Sequence, residues 1–370
     1  MQLREAGGLA ADEFVANVFQ SQNDGIHDWK FITEALKSRS AQLLEIGNTS
    51  VGTLHRSRAY DNPEHCEPGP KSIFALDRKD LGVQTRSEAT VRPPSVAGFF
   101  YPDDPRSLER EVRGFLDDAE TAAKTAAKTD SETEQAPTTL SPKALIVPHA
   151  GFRFSGPIAA SAYRHLVPRR KEIKRVVLLG PSHRVPLEGL GASSAEAFET
   201  PLGKIPLDRE ATLRSLKLPQ VSINDEAHAD EHSLEVQLPF LQILLESFTL
   251  VPFSVGDAKG KDVAEVLEEL WGGDETLVVI SSDLSHYLSY AEARARDAET
   301  TRAIETLQPD LLDWESACGR VAARGLLLTA REKKLTVHTL DVRNSGDTQG
   351  GHDRVVGYGA WAFVQELGER

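Results

Sequence analysis

The chain has 370 residues, 40% of them hydrophobic, and carries a formal net charge of −14 at pH 7. That length suffices for one large domain or two ordinary ones, and the charge opposes a phosphate backbone, so no nucleic-acid partner is expected. No apolar run approaches the roughly 20 residues that cross a bilayer, and the opening MQLREAGG lacks the basic-then-apolar layout of a signal peptide. The expectation is a cytoplasmic protein that does not engage the membrane. Two cysteines, Cys66 and Cys318, are too few for a disulfide framework. Each is available as a free thiol or a metal ligand.

Residues 1–91 form a polar N-terminal extension, expected to be partly disordered, with helical stretches over 11–20 and, after Asp28, over 29–44. One α/β domain is expected over 92–370. SVAGFFY (95–101) is followed by PDDP, where Asp104 caps a helix with Pro105 in its first turn. Leu108, Val112, Phe115 and Leu116 share one face of that helix. Residues 119–142 are a low-complexity linker insertion, whose Ala-Lys part extends the helix and whose remainder is solvated. From Lys143 onward strand, loop and helix alternate. The apolar runs 144–147, 175–180 and 277–282 read as strands, with a helix over 157–166. The basic run of Arg169, Arg170, Lys171, Lys174 and Arg175 reads as a solvated helix end. The run 354–364 alternates as a last strand. Short continuous apolar strands separated by helices predict a buried, largely parallel sheet.

Three of those strands stop at a loop that carries a histidine: His149, His183 and His286. In open α/β sheets ligands bind beyond the carboxyl ends of the strands, so these residues converge. Pro148, Gly151, Gly180 and Pro181 suit rigid loops that hold an imidazole in one orientation. Histidine is a neutral nitrogen ligand and a proton carrier near neutral pH. Candidates for a third ligand are Cys318, Asp283, Glu231 and Asp353. Cys318 precedes a helical pattern, which favours a reactive thiolate, whereas the ordinary fate of a free cysteine is that of a small buried hydrophobe.

HADEHS contains His228, Glu231 and His232 in the order H-x-x-E-H, the inverted zinc-peptidase motif. That chemistry needs both histidines on one helical face. Pro239 follows seven residues after His232, so the helix is expected to begin near the motif and to run through Phe240 to Leu245. The motif then straddles a loop and a helix start, which argues against a peptidase. No P-loop, dinucleotide fingerprint or G-x-S-x-G elbow is present.

Read in order, SVAGFFYP (95–102), PHAGFRFSGPIAASAY (148–163), LLGPSHRVP (178–186), TPLGKIPLD (200–208), HADEHSLEVQLPFL (228–241), SSDLSHY (281–287), ACG (317–319) and VVGYGAWA (355–362) resemble the MEMO family. The resemblance implies a three-layer α/β/α sandwich, similar to the catalytic subunit of class III extradiol dioxygenases, which use non-haem iron. It implies a mononuclear metal pocket of His149, His183 and Cys318, lined by His232, His228 and Glu231. Thiolate in place of carboxylate shifts the expected metal to iron or copper. His286 matches an acid/base histidine, with Asp283 orienting it. Radical-SAM and AMMECR-type proteins are the implied partners. Three functions follow as expectations: an iron- or copper-dependent redox enzyme; a non-enzymatic protein that binds metal or a small-molecule or peptide ligand in the same pocket; and a zinc peptidase using His228, Glu231 and His232.

Overall fold

The computed structural model describes residues 90–129 and 140–365. The expected helices 11–20 and 29–44, Cys66 and linker residues 130–139 lie outside the described residues.

In chain order, β1 (Val91–Arg92) leads to α1 (Pro105–Thr129), then β2 (Pro142–Val147), α2 (Phe152–Tyr163), β3 (Arg175–Pro181) and β4 (Leu190–Ala192). There follow β5 (Ala197–Thr200), β6 (Gly203–Pro206), α3 (Arg209–Ser215), β7 (Val221–Ile223) and three short helical turns, α4 (Glu226–Ala229), α5 (His232–Glu235) and α6 (Leu238–Leu244). The remainder is β8 (Thr249–Val255), α7 (Gly260–Leu270), β9 (Thr276–Ser281), β10 (His286–Leu288), α8 (Tyr290–Glu305), α9 (Arg320–Glu332), β11 (Leu335–Asn344) and β12 (Val355–Gln365).

The main sheet runs β10-β12-β2-β9-β3-β8-β4-β7, with β11 also pairing β12. Its centre, β2-β9-β3-β8, is wholly parallel. Antiparallel pairings attach β12 to β2 and β4 to β8, while the edge strand β7 runs parallel to β4. Every residue of β2 and β9 is buried, which explains their unbroken apolar runs: both faces are covered. Leu145, Val147, Val176, Leu178, Leu277 and Val279 face one core with Leu108, Phe152, Ile158 and Phe240. Ala144, Ile146, Val177, Leu179, Val278 and Ile280 face the other with Val263, Leu267, Leu326 and Leu327. Alternate residues thus serve opposite layers, and the described domain is a three-layer α/β/α sandwich. Each fully buried Leu, Val or Phe side chain contributes roughly 1.5–3 kcal/mol relative to exposure.

Asp104 caps α1 as expected from its sequence, Oδ1 accepting the Ser107 amide at 2.8 Å. Three local expectations need correction. The helix after His149 begins at Phe152 rather than Pro157 and ends at Tyr163, followed by a 3-10 segment, Arg164–Arg169. The Gly151 carbonyl accepts the amides of Phe154 and Ser155, and Phe152 is fully buried, so the helix starts at its first core anchor. The segment 226–244 is three turns rather than one helix from the motif to Leu245. Glu231 stays extended and caps α5 through the Ser233 amide, while Pro239 falls in the first turn of α6, where its missing N–H costs nothing. Finally, Arg169 is buried rather than solvated, donating to the carbonyls of Pro142 and Asp274.

Candidate metal centre

Loops at the carboxyl ends of β2, β3 and β9 and the start of α9 meet at one point. Asp283, just past β9, accepts the amides of His149 (2.7 Å) and Ala150 (3.3 Å) on Oδ1 and fixes the loop that presents His149. Its own backbone carbonyl accepts the Cys318 amide at 3.3 Å. Gly319 donates to Ser282 Oγ at 2.9 Å. A Cβ on Gly319 would stand 2.6 Å from Ser282 Cβ and 2.7 Å from the Ser281 carbonyl, so only glycine lets the Cys318 turn sit this close to β9.

The histidine tautomers follow from their neighbours. Ser281 Oγ gives its single proton to the Ser233 carbonyl at 2.6 Å and accepts from Gln237 Nε2 at 2.8 Å. Its 2.9 Å contact with His149 Nδ1 must therefore be donated by the ring. His149 carries its proton on Nδ1 and turns Nε2 to the Cys318 sulfur, 3.3 Å away. His183 is held the same way. Glu231 accepts the His183 backbone amide at 2.6 Å on Oε2 and Nδ1 at 2.9 Å on Oε1. A carboxylate on Nδ1 is the arrangement that orients a metal-binding imidazole through Nε2. His232 stacks on His183 with ring centroids 4.7 Å apart. One nitrogen from each of His149, His183 and His232 lies within 4.8 Å of the other two.

The electrostatics suit a cation. Burial works to raise the Cys318 thiol, but the charge and hydrogen bonding of His149 and His183 outweigh it and lower the pKa to about 6. The Asp283 amide also donates to the sulfur at 3.3 Å. Burial works against charge on His183, yet hydrogen bonds to Cys318 and Glu231 raise its pKa to about 10. Burial alone would raise the Glu231 carboxyl, and His183, His232 and the Ser233 amide hold it well below the usual carboxylate range. His232 is kept neutral by burial and by the neighbouring charge of His183. Its Nδ1 is buried without a hydrogen-bond partner, although Glu231 Oε1 stands 3.4 Å away. Two imidazoles with committed Nδ1 atoms, an ionisable thiol and an orphaned histidine nitrogen fit a transition-metal ion, and a hard ion such as magnesium or calcium poorly.

The other expected site residues divide. His228 does not join the cluster: its Nε2 contacts the Gly191 carbonyl at 2.8 Å and its ring lies edge-on to Phe198. The peptidase arrangement is thereby corrected, because His228 and His232 stand on separate turns and Glu231 serves His183. His286 is solvent-exposed at the start of β10 and outside the cluster. Asp283 is engaged by the His149 loop, and among the described residues no hydrogen bond joins it to His286; they interact through charge. Asp353 is exposed and outside the cluster. Sequence reasoning passed over Ser281, Gln237 and Tyr163, whose hydroxyl donates to Gln237 Oε1 at 3.0 Å. A lone amide inside the buried run LEVQLPF was the signal for Gln237.

The model of the family described as "Memo-like protein" matches residues 92–362. The chain belongs to this MEMO family. A "MEMO1 family protein" of Aquifex aeolicus is 36% identical over 290 residues, covering 74% of this chain and 99% of that one. Another from Sulfolobus acidocaldarius is 34% identical over 292 residues, covering 72% and 97%. An uncharacterized Escherichia coli K12 protein superposes with a TM-score of 0.39 at 14% identity over 58% of this chain and 98% of that one, too distant to bear on the fold. The matched MEMO segment contains every residue of the cluster. No helix among the described residues is long and apolar enough to cross a membrane.

Proposed function

We propose that this MEMO protein binds one transition-metal ion, iron or copper, through His149, His183 and Cys318, with His232 beside them as a neutral imidazole. The observation that carries the reading is the commitment of Nδ1 on both His149 and His183, which leaves Nε2 of His149 facing the Cys318 sulfur at 3.3 Å. Bound there, such an ion would supply redox or Lewis-acid chemistry. The protein's own residues do the preparation. Glu231 keeps the Nδ1 proton of His183, so the proton given up on metal binding is the one on Nε2. Contact with the imidazoles of His149 and His183 favours the thiolate of Cys318. Asp283 holds the His149 loop and, through its carbonyl, the Cys318 turn. His286, exposed to solvent at the start of β10, is proposed to pass protons between solvent and the pocket.

A cleft reaches Cys318 from solvent, which favours a reactive or ligand-exchanging site over a closed structural one. The test is anaerobic equilibrium dialysis against ferrous and cuprous ions, followed by metal analysis. Wild type should retain about one ion per chain, and His149→Ala, His183→Ala and Cys318→Ser should each lose it. Variants that bind as well as wild type would overturn the reading.

A further inference from the structure

The cleft at Cys318 carries charges that metal binding does not use. It encloses about 660 Å³ between the loop after β3, the turn after β8 and the first residues of α9. Its charged lining residues are Glu188, Asp257 and Arg320. Glu188 and Asp257 are partners across an isolated bridge, so their exposed carboxylates share one wall. Arg320 is half-buried two residues beyond the thiol; its backbone amide donates to the Ala317 carbonyl, while among the described residues its guanidinium has neither a hydrogen bond nor a carboxylate within ion-pair distance. A guanidinium in the lining of an open cleft that pairs with none of the protein's carboxylates is a receptor for an external oxyanion, with a planar fork matched to a carboxylate. Val185, Leu187 and Val321 supply apolar walls beside it. The two carboxylates in the same lining, Glu188 and Asp257, oppose any ligand of higher negative charge.

We infer that this cleft binds a small organic monoanion, its carboxylate on Arg320 and its apolar body along Val185, Leu187 and Val321, so that it lies across the Cys318 thiol. The inference deepens the metal-site reading by naming the class of molecule brought to that site, and its test requires no metal. The full chain, stripped of metal by chelator, is alkylated with iodoacetate and, separately, with iodoacetamide. In both reactions the Cys318 sulfur forms a bond to the reagent's CH₂ carbon and iodide leaves; the reagents are similar in size and differ in charge. Modification of Cys318 is followed by peptide mapping, with N-acetylcysteine as reference.

The expected result is saturable alkylation by iodoacetate, with an iodoacetate-to-iodoacetamide rate ratio at least about tenfold above the N-acetylcysteine ratio. Arg320→Gln should abolish that preference and leave the iodoacetamide rate within about twofold, while Arg320→Lys should keep part of it. Benzoate should protect Cys318, whereas benzamide and phenyl phosphate should not. A ratio equal to that of N-acetylcysteine, a preference unchanged in Arg320→Gln, or equal protection by phenyl phosphate would overturn the inference. An intact preference in a protein that binds no metal would defeat the metal reading alone. Metal binding without the preference would defeat this one alone.

Discussion

At His183 a single carboxylate sets both backbone and ring. Glu231 accepts the main-chain amide on one oxygen and Nδ1–H on the other, so the ring cannot rotate without losing a charge-assisted bond. Glu231→Gln keeps the size and removes the charge; metal affinity should fall by about 10–100-fold, measured by competition with a chelator. Unchanged affinity would mean that Glu231 only caps α5. His149 and His183 stand out in the sequence because each follows a strand with Gly or Pro beside it, whereas Cys318, which by its residues alone reads as a small buried hydrophobe, enters the site only through the resemblance to the MEMO family. The role of Glu231 is not legible there, because it depends on a contact across 48 residues between two loops. The same limit hid Ser281, whose part in fixing the His149 tautomer comes from four groups that meet only in the folded chain.

At the scale of elements, the short turns carrying the site are tied to the start of the domain. Glu235 on α5 is buried and accepts from the Ser95 amide at 2.8 Å, the Val96 amide at 3.0 Å and the Tyr101 hydroxyl at 2.5 Å. Arg92 in β1 pairs with Glu235 and donates to the carbonyls of His228, in α4, and Glu231, between α4 and α5. Removing one partner of so buried a pair leaves the other charge uncompensated. Arg92→Met should therefore cost roughly 3–5 kcal/mol in urea unfolding. A loss below about 1 kcal/mol would place the pair among the weak surface bridges. At the other side of the site, Gly319→Ala should push the Cys318 turn away from β9 and weaken metal binding more than it weakens the fold, as dialysis and urea unfolding measured together would reveal. Neither device shows in hydrophobic periodicity. SVAGFFY and HADEHSLE look like separate motifs until the buried network joins them.

For the molecule as a whole, the two cores were readable because alternate residues of uninterrupted apolar strands must serve opposite layers. The antiparallel flanks were not, since nothing in one strand's own residues states its neighbour's direction. Buried neutral histidines give the whole fold a pH dependence. His165 accepts the Leu140 amide on Nδ1 at 3.1 Å and His228 meets the Gly191 carbonyl, and burial lowers the pKa of each to about 4. Between that value and the unfolded value near 6.5 the unfolded chain binds the proton and the native chain does not. Stability therefore rises with pH across the window and is lost on acidification through it, by up to about 3 kcal/mol for His228. Asp297, raised by burial to about 6, acts in the opposite sense as pH falls below that value. His228→Gln retains a donor for Gly191 and should flatten the dependence of unfolding free energy on pH between about 4 and 6.5. A curve parallel to wild type would contradict the buried neutral state.

The central claim is that Cys318 and the two committed histidines bind the same ion. X-ray absorption at the metal edge of the anaerobically reconstituted protein reads this directly. A sulfur scatterer together with imidazole nitrogens is predicted, with the sulfur lost in Cys318→Ser and an imidazole lost in His149→Ala. A shell of nitrogen and oxygen alone in the wild-type protein, unchanged by Cys318→Ser, would contradict it.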